Sequence, residues 1–240
     1  MELSEFDYGG LELEIFQSAR CWRRYWMGSV REHLGSVVLE VGAGIGTVTR
    51  GLCSSVEMWT ALEPDPKLCV LISESLPKYC TNVTVVNGRL CEIGPETKCD
   101  SILYIDVLEH IEDDRQEVIE ACRRLKPGGK LIILVPAHQS LFSSFDAAIG
   151  HYRRYKSESL ESLRPSEMNV ISSRYLDSVG YLLSWANARL LSQSVPTKAQ
   201  ITFWDRFIIP LSRVLDRLLG YRFGKSLLVV WQAPMVENGS

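Results

Sequence analysis

Gly42, Gly44 and Gly46 alternate with Ala43 and Ile45 directly after the run Val37-Val38-Leu39-Glu40-Val41. Glycine at every second position lets the backbone bend sharply and approach a ligand closely, because no Cβ intervenes. A helix beginning at about Thr47 would aim its unsatisfied N–H groups back at that ligand. Glu40 lies just before the turn, where a carboxylate repels phosphates but attracts an ammonium group, directly or through water. Glu63, in Leu62-Glu63-Pro64-Asp65, is placed to accept hydrogen bonds from ribose hydroxyls. The dinucleotide pattern G-x-G-x-x-G would put a third glycine at position 47, which is threonine here. These residues together favour a ligand with a ribose and an amino group but no pyrophosphate.

A second group of residues has proton-transfer or ligating chemistry. His110 closes the run Asp106-Val107-Leu108-Glu109-His110, and His151 lies in Asp146-Ala147-Ala148-Ile149-Gly150-His151-Tyr152-Arg153-Arg154-Tyr155. His110 is equally suited to act as a base or to cap the next helix. For His138 a structural role leads, whereas the aromatics, acid and two arginines around His151 favour a loop built for a site. Asp106, Glu109 and His110 are also a set of cation ligands. Glu109 and His110 are adjacent, however, and converge on one ion only through a non-helical turn, so no metal is expected.

The elements that must position these groups alternate. Strands are expected at Val37–Val41, Met58–Leu62, Val83–Val86, Ser101–Ile105 and Lys130–Val135, and helices near 47–53, 67–76 and 114–125. Lys126-Pro127-Gly128-Gly129 reads as a helix stop and tight turn. The rhythm argues for a parallel sheet covered on both faces. A helix over about 11–34 precedes it, with Trp22, Tyr25 and Trp26 on its apolar side. Later come a strand at 169–174, about fifty mainly helical residues, a strand at 226–231 and a frayed tail from Glu237. The stretch from Phe203 to Leu219 sets apolar residues at helical spacing with arginines between, which suits a lid over an apolar pocket or an interfacial membrane contact.

Composition narrows the class. The 240 residues are 46% hydrophobic and 23% charged, ordinary values for a globular chain. A net charge of −3 gives no reason to expect nucleic acid. The acidic start Met1-Glu2-Leu3-Ser4-Glu5 lacks the apolar core of a signal peptide, and no apolar run is long enough to span a bilayer. The seven cysteines are odd in number and without a C-x-x-C pair, which predicts reduced thiols and a cytoplasmic protein.

Four runs in this order, namely Glu40 to Gly46, Glu63-Pro64-Asp65, Asp106 to His110 and Leu125-Lys126-Pro127-Gly128-Gly129-Lys130-Leu131, resemble the class I S-adenosylmethionine-dependent methyltransferases over about 37–135. The loop from Phe142 to Tyr155 resembles a subgroup associated with quinones, lipids or glycans. The resemblance implies an α/β Rossmann-like three-layer sandwich, with seven mostly parallel strands, an antiparallel last strand and a helical lid inserted before it. It implies one domain over 1–240: a helical cap (1–34), a cofactor-binding core (35–135), a substrate loop and helical insertion (136–225), and the last strand and tail (226–240).

It also implies that Gly42, Gly44 and Gly46 wrap the methionyl and ribose parts of S-adenosyl-L-methionine, that Glu63 holds the ribose, and that Asp106 lies beside the donor. Many members carry an acid after the third strand that faces adenine. Here Asn87-Gly88-Arg89-Leu90 stands instead, and Arg89 cannot accept that hydrogen bond, so the backbone about Gly88 and Leu90 is assigned to adenine. His110 and His151 are the expected catalytic residues, since similar O-methyltransferases place a histidine near position 110. The acceptor implied is a hydroxyl, or less favourably an amine, on a hydrophobic or lipid-linked small molecule. Two rivals stand beside this reading: an NAD-type oxidoreductase, which Thr47 and Glu40 disfavour, and a non-catalytic S-adenosylmethionine-binding partner protein.

Overall fold

The computed structural model describes residues 18–190 and 197–235. The start of the expected first helix, the N-terminal residues read against a signal peptide and the tail from Glu237 lie outside the described residues. Helix α1 (Arg20–Arg31) presents Trp22, Tyr25, Trp26 and Val30 inward at steps of three and four. Strand β1 (Val37–Val41) enters the glycine turn and α2 (Thr47–Leu52). Then follow β2 (Met58–Glu63) and α3 (Pro66–Ser75), whose start is dictated locally. Asp65 accepts the Lys67 amide at 2.7 Å and Pro66 supplies a first helical residue that needs no partner for an N–H.

Next are β3 (Val83–Asn87), β4 (Cys99–Ile105), α4 (Asp114–Arg123), β5 (Leu125–Pro136), α5 (Ser144–Ala148), α6 (Ser157–Glu161) and β6 (Asn169–Leu176). Helix α7 (Ser178–Leu190), α8 (Lys198–Phe203), a π-helical turn (Trp204–Ile208), α9 (Ile209–Leu218) and β7 (Ser226–Gln232) complete the chain.

The seven strands form one sheet in the order β3-β2-β1-β4-β5-β7-β6. Strands β1 to β5 pair in parallel, and β7 runs antiparallel between β5 and β6. Alternation along β5 feeds both faces: Ile132 and Leu134 join Trp59, Leu103 and α1 on one side, while Leu131, Ile133 and Val135 join Tyr104, Val118 and Trp231 on the other. The strand order reverses between β1 and β4, so the carboxy ends of these two strands flank the crevice where open α/β sheets bind ligands.

Two expectations need correction. Lys126–Gly129 does not separate α4 from a strand at Lys130. Cys99 pairs with Leu125 and Ser101 with Lys130, so the four residues loop out within β5, with Gly128 at φ +72°. The expectation of wholly reduced thiols also fails. Cys53 and Cys80 are disulfide-bonded, with Cα atoms 6.1 Å apart. The turn after α2 and the turn before β3 meet at one end of β2, where Asn82 Nδ2 donates to the carbonyls of Cys53 and Val56. A separation of 27 residues leaves no local motif to betray the pair. Cys21, Cys69, Cys91, Cys99 and Cys122 are free thiols.

Candidate active site

The glycine turn needs its glycines. Gly42, Gly44 and Gly46 have φ of +69°, +55° and +75°, a region that side chains disfavour. A Cβ on Gly42 would also stand 2.6 Å from Val107 Cγ2. The Gly42 and Ala43 amides are pinned by the Leu62 carbonyl at the end of β2. Glu63, the next residue, receives the Gly44 amide on Oε2 at 2.7 Å and the Asp65 amide on Oε1 at 3.0 Å. Burial raises the Glu63 carboxyl above its usual range, and these two amides pull back against that rise. Each oxygen keeps a second lone pair for a hydroxyl.

Glu40 is 2% exposed on β1, beneath the turn. Its Oε2 accepts Thr49 Oγ1 at 2.5 Å and Trp59 Nε1 at 2.8 Å. Burial drives this carboxyl up to about 7 despite both donors. The two donors were not anticipated from the sequence. A buried tryptophan needs an acceptor for its N–H, and Trp59 pairs with Val38, two residues from Glu40 on the same face, which is the available signal.

Asp106 follows β4 at φ +54° and is exposed. The surrounding protein raises its carboxyl above the usual range, against the opposing pull of Arg154. Gly88 donates its amide to the Glu63 carbonyl at 3.0 Å, so the loop after β3 is tied to the end of β2. Leu90 is buried and opens a 3-10 turn. An acid does reach this loop: Glu92 Oε2 accepts the Arg89 amide at 2.7 Å.

His110 and His151 come together although forty residues separate them in the chain. Their rings lie edge to face with centroids 4.5 Å apart. Burial, with the neighbouring His151 adding to it, lowers His110 to about 4, while a hydrogen bond with the Gly150 backbone opposes the fall. His151 Nδ1 is 3.0 Å from Asp146 Oδ1, and its Nε2 lies 3.9 Å from Glu109 Oε1. Asp146 is fully buried and also takes Arg154 Nε at 2.8 Å and the Ser143 amide and hydroxyl at 2.8 Å. Burial alone would raise this carboxyl, but the hydrogen bonds from His151 and Arg154 prevail and hold it well below the usual range.

Tyr155 fastens the loop to the end of β5 and to the start of α4. Its amide donates to the Pro136 carbonyl at 2.9 Å, and its hydroxyl donates to Asp114 Oδ2 at 2.8 Å. Arg153 Nη1 reaches the same Asp114 oxygen at 2.6 Å. His138 stacks on Tyr175 with ring centroids 5.1 Å apart.

The non-helical turn that the adjacent Glu109 and His110 would need is present, as a 3-10 turn over Leu108–His110. It brings one ligand-type atom each from Glu109, His110 and His151 within 4.8 Å of one another, a spacing a divalent cation could use. The site thus joins a backbone cradle able to hold a nucleoside-like donor to a half-buried imidazole pair able to take a proton.

Sheet order, glycine turn and ribose-type acid together define the class I S-adenosylmethionine-dependent methyltransferase fold. Residues 39–133 match the family described as a methyltransferase domain. The chain is 30% identical over 139 residues to the demethylmenaquinone methyltransferase of Tropheryma whipplei, covering 57% of this chain and 56% of that protein. It is 25% identical over 127 residues to the mitochondrial ubiquinone biosynthesis O-methyltransferase of Schizosaccharomyces pombe, covering 50% of this chain and 41% of that protein. The chain therefore spans about half the length of the curated relatives it matches. Among solved structures, the N-methyltransferase NodS of Bradyrhizobium japonicum, crystallised with S-adenosyl-L-homocysteine, is similar with a TM-score of 0.60. That match has 14% identity and covers 95% of this chain and 98% of the other, a likeness of fold.

Proposed function

We propose that this chain transfers a methyl group from S-adenosylmethionine to a hydroxyl of a hydrophobic small molecule, with a quinol as the favoured class. The carrying observation is the juxtaposition, at the β1/β4 reversal, of three positive-φ glycines and Glu63 with the half-buried His110–His151 pair. Bound S-adenosylmethionine supplies a methyl carbon on a sulfonium, open to in-line displacement. Gly42, Gly44 and Gly46 let the backbone close on the amino-acid and ribose parts, and the free lone pairs of Glu63 take the two ribose hydroxyls. Glu40 adds negative charge beneath the amino group, and the backbone at Gly88 and Leu90 borders the adenine. Asp106 lines the wall between donor and acceptor.

His110 is the base in this reading. Its lowered pKa keeps the imidazole neutral at physiological pH and free to take the hydroxyl proton as the oxygen attacks. His151, oriented by Asp146 through Nδ1, holds the wall against which His110 packs. The printed names of the two curated relatives, one acting on demethylmenaquinone and one in ubiquinone biosynthesis, support a quinol over a sugar or a peptide.

The test is transfer of a tritiated methyl group from S-adenosylmethionine to a panel of demethylated quinols, simple catechols and amines. The reading expects label in the organic extract with the quinols, and loss of that label in His110→Ala. Tight S-adenosylmethionine binding with no label transferred to any acceptor would establish the non-catalytic rival instead.

A further inference from the structure

The segment from Lys198 to Leu218 is one continuous helical rod that turns its polarity inside out. Its two acids, Asp205 and Asp216, point inward and are buried. Asp205 caps the start of α1, receiving the Cys21 amide at 3.1 Å and the Trp22 amide at 2.8 Å. Asp216 caps the start of α7, receiving the amides of Asp177 at 2.7 Å and Ser178 at 2.9 Å, and also takes the Tyr25 hydroxyl at 2.8 Å. The inward face is thus held by hydrogen bonds to two helix N-termini, where anionic groups are favoured.

The outward face is apolar. Phe203, Phe207, Leu211, Val214 and Leu218 follow one another at steps of four, four, three and four, each between 49% and 75% exposed. Of the seventeen large apolar side chains exposed among the described residues, nine fall between residues 182 and 219, which makes this a patch and not scatter. Beside the row run Arg206, Arg213 and Arg217, all exposed, at steps of seven and four. With both acids turned inward, every exposed charge from residue 197 to 222 is a cation: Lys198, Arg206, Arg213, Arg217 and Arg222. Helix α1, which touches the rod through Trp22 and Trp204, contains no acid and adds exposed Arg20 and Arg24.

We propose that this face docks on an anionic lipid surface, with the apolar row entering the headgroup–acyl boundary and the arginines meeting acidic headgroups. A net-negative chain that collects unbalanced cations beside its largest exposed apolar row matches the charge of such a surface. A second copy is the poorer occupant. A two-fold interface would set the arginine row against itself with no exposed acid on the segment to answer it.

The experiment is co-sedimentation of the full chain with phosphatidylcholine vesicles, with and without phosphatidylglycerol, at low and high salt. Binding is expected on the anionic vesicles, with at least about a tenfold weaker partition on neutral vesicles or at high salt. The double variant Phe207→Ser/Leu211→Ser and the triple variant Arg206→Gln/Arg213→Gln/Arg217→Gln should each lower binding about tenfold or more. Both sets of side chains are exposed, so the melting temperature should be unchanged. No binding to anionic vesicles, or binding that neither variant weakens, would overturn the proposal. So would a dimer in sedimentation velocity that the apolar variant dissociates while vesicle binding stays absent. Methyl transfer to a water-soluble quinol assays the reading above separately from this one.

Discussion

The two sides of the crevice that we assign to donor and acceptor are built on different principles. At the ends of β1 and β2 the working groups are backbone: three glycines at positive φ and amides fixed by Leu62 and Glu63, all within about twenty residues. Beyond β4 the working groups are side chains, and their placement depends on a buried acid, Asp146, that gathers His151, Arg154 and Ser143. A backbone cradle holds its shape through φ alone and serves any acceptor chemistry. A side-chain cluster depends on charge balance in a buried place and can be retuned by one substitution. The comparison predicts separable failures, with catalysis failing on one side and donor affinity on the other.

The largest separation should come from His110→Ala. Turnover is expected to fall by about 10²- to 10⁴-fold with donor affinity unchanged, read by steady-state rates beside equilibrium binding. Equal losses in both would mean the two sides are not independent. Asp146→Ala strips the mostly buried Arg154 of its bidentate partner and should cost about 3–5 kcal/mol in urea-induced unfolding. The donor site of the protein that remains folded should still bind. Gly44→Val is the mirror image: a side chain at φ +55° in the cradle should weaken donor binding about 100-fold, or about 2.7 kcal/mol, with the histidine pair untouched.

Glu40→Gln is the subtlest. The folded chain holds the Glu40 proton up to about 7, whereas the unfolded carboxyl releases it near its ordinary 4.5. The folded state therefore binds the extra proton between these values, and stability falls as pH rises through that window. The amide carries no charge to bury, so the variant should gain about 1–3 kcal/mol over the parent above pH 7 and little below pH 5. It should also bind S-adenosylmethionine more weakly, which would mark the buried charge as serving the ligand and not the fold.

Much of the donor side was legible because its constraints are local. A turn with three left-handed residues admits little but glycine, and Glu63 sits beside it through ordinary strand register. Asp65-Pro66 likewise announced the start of α3. The acceptor side was legible in composition but not in arrangement. The loop around His151 could be singled out, yet its approach to His110 depends on Tyr155 and Arg153 converging on Asp114, forty residues away. No periodicity carries such a contact. The Cys53–Cys80 bond was hidden for the same reason, and the π-helical turn for another. Pro210 lacks the N–H that the Arg206 carbonyl would bind in an α-helix, an effect that a hydrophobic pattern does not report.

The central claim is that the glycine turn and Glu63 form a site for S-adenosylmethionine and not for a dinucleotide. Isothermal titration of the intact chain with S-adenosylmethionine and with NAD, repeated on Glu63→Ala, tests it most directly. Saturable S-adenosylmethionine binding is expected, weakened by about 1–3 kcal/mol in the variant, with no heat from NAD. Saturable NAD binding, or S-adenosylmethionine binding indifferent to Glu63, would contradict it.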